Sequence, residues 1–372
     1  MMRSQALPKF RRQRGMVLLM VLLIFSVVAI IATRMIDRQS MDIERSGTMF
    51  IQQQSRNYAY ASEAAVRQGL YLDWEANPDV DHAFEEWSKD RVFPLDPGSA
   101  SIHIEDLQGR FNLNSLIPGA STDGVALQRF RNLLNLLGLD LGFAEQWQAW
   151  LNPESQADDN YLSLENPYRA AYAACVHTSE LMSLVGFDRE SYLKIEPYVA
   201  CLPVTAQLNV NTASNIVLAS LDANFSLEDA ATVISARGNE GFVKVDDFLG
   251  LDVVRPYIQV QPVISGQNDN DAAQKTPWAA ADFSVYTEYF ETFTRIDLAG
   301  RSATTEAVIF RAKDTGKMQT LYRDYSRRKS RKSNIPMTED TTQEAIQSIN
   351  EMQGMPMLDS SPQGLGGLES SF

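Results

Sequence analysis

The residues able to do chemistry are few and scattered. Three histidines, His82, His103 and His177, lie far apart in the chain, and no HExxH, GxSxG or zinc-type cysteine pairing accompanies them. Ordinary surface or packed roles are expected for all three. Glu105 and Asp106 are neighbouring carboxylates, but adjacent side chains in a strand point to opposite faces, so the two cannot share a proton. The two cysteines, Cys175 and Cys201, are either inert buried thiols or one disulfide, depending on the redox compartment. These residues add up to no catalytic constellation, and the expectation is a protein that is not an enzyme.

The elements that hold these residues begin with an export signal. Arg3, Lys9, Arg11, Arg12 and Arg14 precede Gly15 with no acid among them, and Met16 to Thr33 follows without a charge. A conventional secretory signal is cut behind its apolar run, whereas here the glycine stands in front of it. The run is near the lower limit for spanning a bilayer, and the positive-inside rule keeps the arginines in the cytoplasm. Everything after Arg34 then lies across the membrane, in the periplasm of a Gram-negative cell. That oxidising compartment favours the Cys175–Cys201 disulfide, whose loop would stabilise by about 3 kcal/mol. Lys and Arg number 33 against 47 Asp and Glu, a net charge of -14 that repels polyanions, so nucleic acid is not an expected partner.

Spacings of three and four predict one long helix from Met16 to Trp74, membrane anchor first and spine of a sheet domain second. Turn signals cluster at 77–79 and 94–99. Residues 99–115 alternate as a strand or hairpin with a turn near Gln108-Gly109, and three β-rich segments occupy 284–297, 303–313 and 317–325. Between them, 116–274 reads as short amphipathic helices, a small all-α domain inserted in the sheet domain. Within it FNLNSL at Phe111 recurs as LNVNTA at Leu208, and HTSELMSLVGF recurs as VKVDDFLGLDV, an internal duplication. The predicted division is 1–15 leader, 16–34 membrane helix, 35–75 its periplasmic continuation, 76–115 and 275–325 sheet domain, 116–274 insert and 326–372 flexible tail. The fold class is α+β.

The junction RRQRG–MVLLMVLL resembles a type IV prepilin leader, which implies cleavage after Gly15 and N-methylation of Met16. Pilins usually carry glutamate at the fifth mature position, where this chain has Met20. A carboxylate there pairs with the subunit above, so its loss suits a subunit placed first, at a tip. DLQGRFNLNS, LNVNTAS, SARGNEGFVKVDDFL and the acidic ADDNYLSLENPYR resemble segments of the general secretion pathway protein K family, minor pseudopilins of type II secretion systems. The resemblance covers about Arg11 to Tyr325. It implies a pilin-like long helix on an antiparallel sheet with a helix-hairpin-helix or SAM-like insert. It also implies initiation and capping of a pseudopilus, with minor pseudopilins I and J as first partners, then H and the major pseudopilin. A prepilin peptidase and an inner-membrane secretion platform complete the set. No cofactor is required. Relatives can bind calcium, and Asp158, Asp159, Asn160 and Glu165 are oxygen donors of the right kind for a structural Ca²⁺. Two family carboxylates are missing, since this chain reads Ala149-Trp150-Leu151-Asn152 where Asp-Trp-Ile-Asp is usual, and Gln156 replaces a glycine. The rival reading is a membrane-anchored helix-hairpin-helix protein for DNA binding or uptake, which SARGNEGFVKVDDFL also resembles.

Overall fold

The computed structural model describes residues 14–120, 124–258 and 278–325. The arginine-rich start, most of the loop after the second helical unit and the tail after Tyr325 therefore lie outside the described residues. The chain divides into two units, Met1–Asn57 and Tyr58–Phe372. Helix α1 (Arg14–Ala76) supplies the described part of the first unit and continues into the second. Pro78, which lacks an N–H and disfavours helix at the residue before it, ends α1 close to the expected Trp74.

In the second unit, strands β1 (Arg91–Leu95) and β2 (Gly98–Asp106) form a hairpin over the turn signal at 94–99. β2 then pairs with a strand from far along the chain, β7 (Tyr289–Leu298), Glu105 opposite Glu291 and Asp106 opposite Phe290. β8 (Arg301–Arg311) and β9 (Met318–Asp324) complete an antiparallel sheet of order β1-β2-β7-β8-β9. Alternation sorts the faces: Ile102, Phe290 and Ile309 pack with Trp87 against Val66 and Leu70 of α1. Polar contacts fix the helix along the sheet, with Glu63 accepting from Arg323 Nε at 2.6 Å and Trp74 Nε1 donating to Lys313 O at 2.7 Å.

Of the strand or hairpin expected across 99–115, the strand forms as β2 and the hairpin does not. β2 ends at Asp106, and β3 (Phe111–Asn112) pairs instead with β4 (Val199–Ala200), because the turn at Gln108-Gly109 hands the chain to a different core. Two cores occupy the chain between β2 and β7. The first is built on α2 (Val125–Leu136), α3 (Gly142–Leu151), α4 (Asp158–Leu162) and α5 (Arg189–Ile195) around Phe130 and Trp147. The second follows β5 (Leu208–Asn209), with α6 (Asn215–Ala219), α7 (Leu227–Arg237), α8 (Val245–Leu249) and α9 (Arg255–Ile258) around Phe248 and Trp278. β6 (Phe283–Ser284) closes it by pairing with β5.

The region is thus not all-α: each half opens and closes on a short parallel strand pair, β3 with β4 and β5 with β6. Three local expectations also change. SELMSLVGF forms a 3-10 turn over Thr178–Ser183, the helix in ESYLKIEPYVA stops where Pro197 follows it, and the acidic loop contains helix α4.

Candidate functional site

In the first unit, Gly15 lies in the helical backbone just after the start of α1 at Arg14. Beyond it the helix is long and apolar enough to cross a membrane, and none of its apolar window is buried. Met20 is 66% exposed, and the apolar residues around it are exposed on every side. The hydroxyls inside the run satisfy themselves, Ser26 Oγ donating to Leu22 O at 2.8 Å and Thr33 Oγ1 to Ala29 O at 2.9 Å. A helix apolar all round belongs in lipid or in a bundle of other helices.

In the second unit, the segment Asp106–Asn114 joins the sheet to both helical halves. Buried Asp106 uses Oδ2 to accept from Asn209 Nδ2 at 2.9 Å, Thr212 Oγ1 at 2.5 Å and Thr287 Oγ1, and Oδ1 to accept from Gln108 N at 2.6 Å. Gln108 donates to Gln207 O at 2.9 Å and accepts from Glu288 N at 2.6 Å, so one side chain spans the entry and exit of the second half. Gly109 is required by close approach: a Cβ there would stand 2.7 Å from Thr212 Oγ1. Arg110 sits between Glu105 and Glu291, which face each other across β2 and β7. Phe111 stacks on Phe130 at 5.4 Å, carrying the chain into the first core.

The duplication read from FNLNSL and LNVNTA is a repeated piece of geometry. In the first half, Asn112 Oδ1 accepts from Asn114 N at 3.1 Å, and buried Asn114 exchanges two bonds with the backbone of Cys175, 2.8 Å to its N and 3.0 Å to its O. In the second, Asn209 Oδ1 accepts from Asn211 N at 3.0 Å, and buried Asn211 exchanges the same two bonds with Phe242, 2.7 Å and 3.0 Å. Each amide also reaches the segment after the closing strand, Asn114 to Leu202 O at 2.9 Å and Asn211 to Val285 O at 3.4 Å. Only a carboxamide offers a donor and an acceptor to one peptide group in this way. His177 and Lys244, two residues past those peptides, each donate their backbone N–H to the acid three positions on, to Glu180 Oε1 at 3.2 Å and to Asp247 Oδ2 at 3.0 Å. Capping by Asn112 and Ser214 follows from sequence; the pinning by Asn114 and Asn211 does not, because their partners lie 61 and 31 positions away.

A buried charged node adjoins the joint. Arg311 donates to Asp81, to Asp73 at 3.2 Å and to the carbonyls of Leu70 and Thr287. Asp73, Asp81 and Glu85 are the carboxylates, among the described residues, whose oxygens gather within 4.8 Å. Burial pushes Asp73 and Asp106 up to about 6 and Glu85 up to about 7; it also raises Asp81, with Arg311 opposing. A metal ion does not fit this cluster, since Arg311 already supplies its cation and Glu85 Oε2 accepts from His82 N at 3.1 Å and Trp87 Nε1 at 2.5 Å. None of these node residues was singled out from sequence, where they are single acids and an arginine with no local pattern.

The proposed calcium donors are not gathered. Asp158 accepts from Ala170 N at 3.0 Å and pairs with Arg169 at 3.3 Å, while Asp159, Asn160 and Glu165 are exposed. That donor set does not fit a calcium ion, which needs six to eight oxygens. Cys175 and Cys201 form a disulfide. The histidines stay apart: His82 faces Glu85, His103 lies between Asp90 and Glu105, and His177 lies 3.7 Å from Glu306. Glu105 and Asp106 occupy opposite faces of β2, as alternation requires. For the DNA reading, the turn before α7 carries Asp222, and the N-terminus of α7 is filled by its own Ser226–Asp229 capping box, so acid stands where a phosphate would bind.

Two sequence models of the family described as "Type II secretion system (T2SS), protein K" match in tandem, over residues 109–204 and 208–267, one on each helical half. The type II secretion system protein K of Pseudomonas aeruginosa is 33% identical over 334 residues, 84% of this chain and 93% of that protein. That of Aeromonas hydrophila is 34% identical over 263 residues, 63% of this chain and 79% of that protein. In the crystal structure of the GspK-GspI-GspJ complex from the enterotoxigenic Escherichia coli type 2 secretion system, one chain shares the fold with a TM-score of 0.62 at 23% identity, covering 76% of this chain and 99% of that one. The sheet joined to a long helix, the repeated Asn-x-Asn joint and the span of the Pseudomonas relative therefore agree: this chain belongs to the type II secretion system protein K family.

Proposed function

We propose that the chain is the minor pseudopilin that starts and caps the pseudopilus of a type II secretion system, a mechanical part in protein export with no catalytic role. The observation that carries this reading is the apolar stretch Met16–Thr33, exposed on all sides and without a carboxylate at Met20. Such a helix needs neighbours of its own kind, and without the glutamate it has no buried charge awaiting a subunit above it. A prepilin peptidase would cut after Gly15 and leave N-methylated Met16 at the head of the anchor. The chain would then sit once through the inner membrane with its bulk in the periplasm, where Cys175–Cys201 stays oxidised.

The E. coli structure that shares this fold is a complex with GspI and GspJ, which supports minor pseudopilins I and J as the first partners. H, the major pseudopilin and the inner-membrane platform would follow. The fold corresponds to a pilin-like helix and sheet with a SAM-like helical insert. Its divisions are 1–15, 16–34, 35–75, 76–115, 116–274, 275–325 and 326–372. In this reading the two helical halves supply the bulk that blocks addition of a subunit above.

N-terminal mass spectrometry of the protein extracted from membranes tests this directly. A mature chain beginning at methylated Met16 is expected. Retention of Arg11, Arg12 and Arg14, or loss of the stretch to Thr33, would remove the anchor from assembly and overturn the proposal.

A further inference from the structure

The three histidines are held by their neighbours in two different ways. His82 Nδ1 accepts from Phe84 N at 3.3 Å, and His177 Nδ1 accepts from Ser179 N at 3.0 Å. A backbone amide only donates, so each of these ring nitrogens keeps a lone pair and its ring is neutral, with the proton on Nε2. That proton faces a carboxylate in both cases, Glu85 at 3.6 Å and Glu306 at 3.7 Å. Burial acts in the same direction on His82, pushing it below the ordinary histidine range.

His103 is held the other way. Its Nδ1 meets Asp90 Oδ1, and its Nε2 meets Glu105 Oε1 at 2.8 Å. Ionised carboxylates only accept, so both ring nitrogens must donate, and a ring that donates twice carries a positive charge. Glu105 is kept ionised by Arg110, whose guanidinium donates to Glu105 Oε2 and, at 2.9 Å, to Glu291. Glu306 stands further along the same cross-strand row, beyond Phe293, and adds to the field that favours a cation. The other charged groups on the neighbouring strands have partners of their own sign-opposite kind: Arg91 bonds to Glu86 and Arg295 to Asp297, each at 2.9 Å.

The ring is thus one link in a line of alternating charge, Asp90, His103, Glu105, Arg110 and Glu291. Asp90 immediately precedes β1, an edge strand that pairs with β2 alone. Arg110 lies in the segment that carries the chain from the sheet to the helical halves. Arg110 is charged at every accessible pH, so the imidazole is the cation of this line whose charge changes near neutrality.

We propose that His103 is an imidazolium at neutral pH and serves as a clasp that ties the edge strand β1 to the joint at Arg110, and that the clasp opens as pH rises. His82 and His177 are neutral under the same conditions. Because the folded protein holds this proton more tightly than the unfolded chain does, the clasp contributes fully below about pH 6.5 and is lost on the alkaline side. The inference does not depend on the secretion role.

The test uses the full chain in detergent with ¹⁵N in its histidine rings. Three histidines give three pairs of ring signals, assigned with His82→Gln and His177→Gln. At pH 7, where an unconstrained imidazole is mostly neutral, His103 is expected to show two protonated nitrogens and the other two rings one each. A bare nitrogen on His103 at that pH overturns the charge assignment. Hydrogen exchange, corrected for the intrinsic effect of pH, tests the clasp. H103N is neutral and too short to span both acids, and should speed exchange of the β1 amides paired with β2 about fivefold at pH 6.5, the upper range for a partly exposed ion pair, with α7 unchanged. H103R should keep those amides protected at pH 8.5, where the parent has loosened. Equal β1 exchange in parent and H103N at pH 6.5, or no loosening of the parent between pH 6.5 and 8.5, overturns the clasp.

Discussion

The two helical halves solve one structural problem with different materials. In both, an Asn-x-Asn segment leaves a short parallel strand pair, and its second asparagine pins a distant loop through both atoms of one peptide. In the first half, that pinned loop residue is Cys175, and Cys201 precedes the Leu202 that Asn114 and Asn112 also hold. The disulfide therefore crosses the same gap as the asparagine. The corresponding positions in the second half are Phe242 and Ser284, so no covalent link is available there. Its place is taken by Trp278 with Phe225, Phe248, Tyr257 and Phe283, and by Arg237, which donates to Val210 O at 2.9 Å and Ala213 O at 2.8 Å. Polar pinning is common to both; the backup is covalent in one and aromatic in the other.

The largest effect separating the halves should come from Asn211→Ala. It leaves the buried N–H and C=O of Phe242 without partners, and at about 1–3 kcal/mol for each orphaned group the loss is about 4 kcal/mol. Asn114→Ala should cost about half as much while the disulfide holds Cys175 in place, and should approach the Asn211→Ala cost once the disulfide is reduced. Chemical denaturation of the four forms measures this. Equal costs in oxidised protein would show that the disulfide does not share the load of Asn114.

Next in size is the disulfide itself. Replacing Cys175 and Cys201 by alanine should lower stability by about 3 kcal/mol for a loop of 26 residues. Native-state hydrogen exchange should place the loss in the loop from Cys175 to Val199, with α7 and α8 unchanged. Protection lost equally in both halves would mean that they unfold as one unit, and the comparison would lose its force.

How much of this was legible in the sequence follows from distance along the chain. The long helix, the three late strands and the helical character between them are local patterns. The repeat was also visible, since FNLNSL and LNVNTA keep their spacing. The roles of Asp106, Asn114, Asn211, Arg311 and Thr287 were not, because each bond spans tens to hundreds of residues and no period marks it. β1 was missed because Pro94 lies inside it, a residue tolerated at a sheet edge but read as a turn. The calcium donors were misjudged for the opposite reason. Closeness in sequence gathered Asp158, Asp159 and Asn160, but helix α4 and Arg169 dispersed their oxygens.

The smallest predicted effect separates the charged node from the joints beside it. Carboxylates in the unfolded chain lose their protons near pH 4, whereas Asp73 and Asp106 in the folded protein keep theirs to about 6 and Glu85 to about 7. Between those limits the folded form binds more protons, so stability falls as pH rises from about 4 to about 7. Glu63 acts outside this window: although burial alone would raise it, Arg323 and Thr320 hold it below the usual range. In Glu85→Gln, the amide oxygen can still accept from His82 N and Trp87 Nε1 while the titration disappears. The variant should match the parent at pH 5 and melt about 2 °C higher at pH 7.5, a gain of about 1 kcal/mol once solvent screening of this half-buried group is allowed for. A gain of equal size at both pH values would assign the effect to packing around Trp87 and remove proton binding from the account.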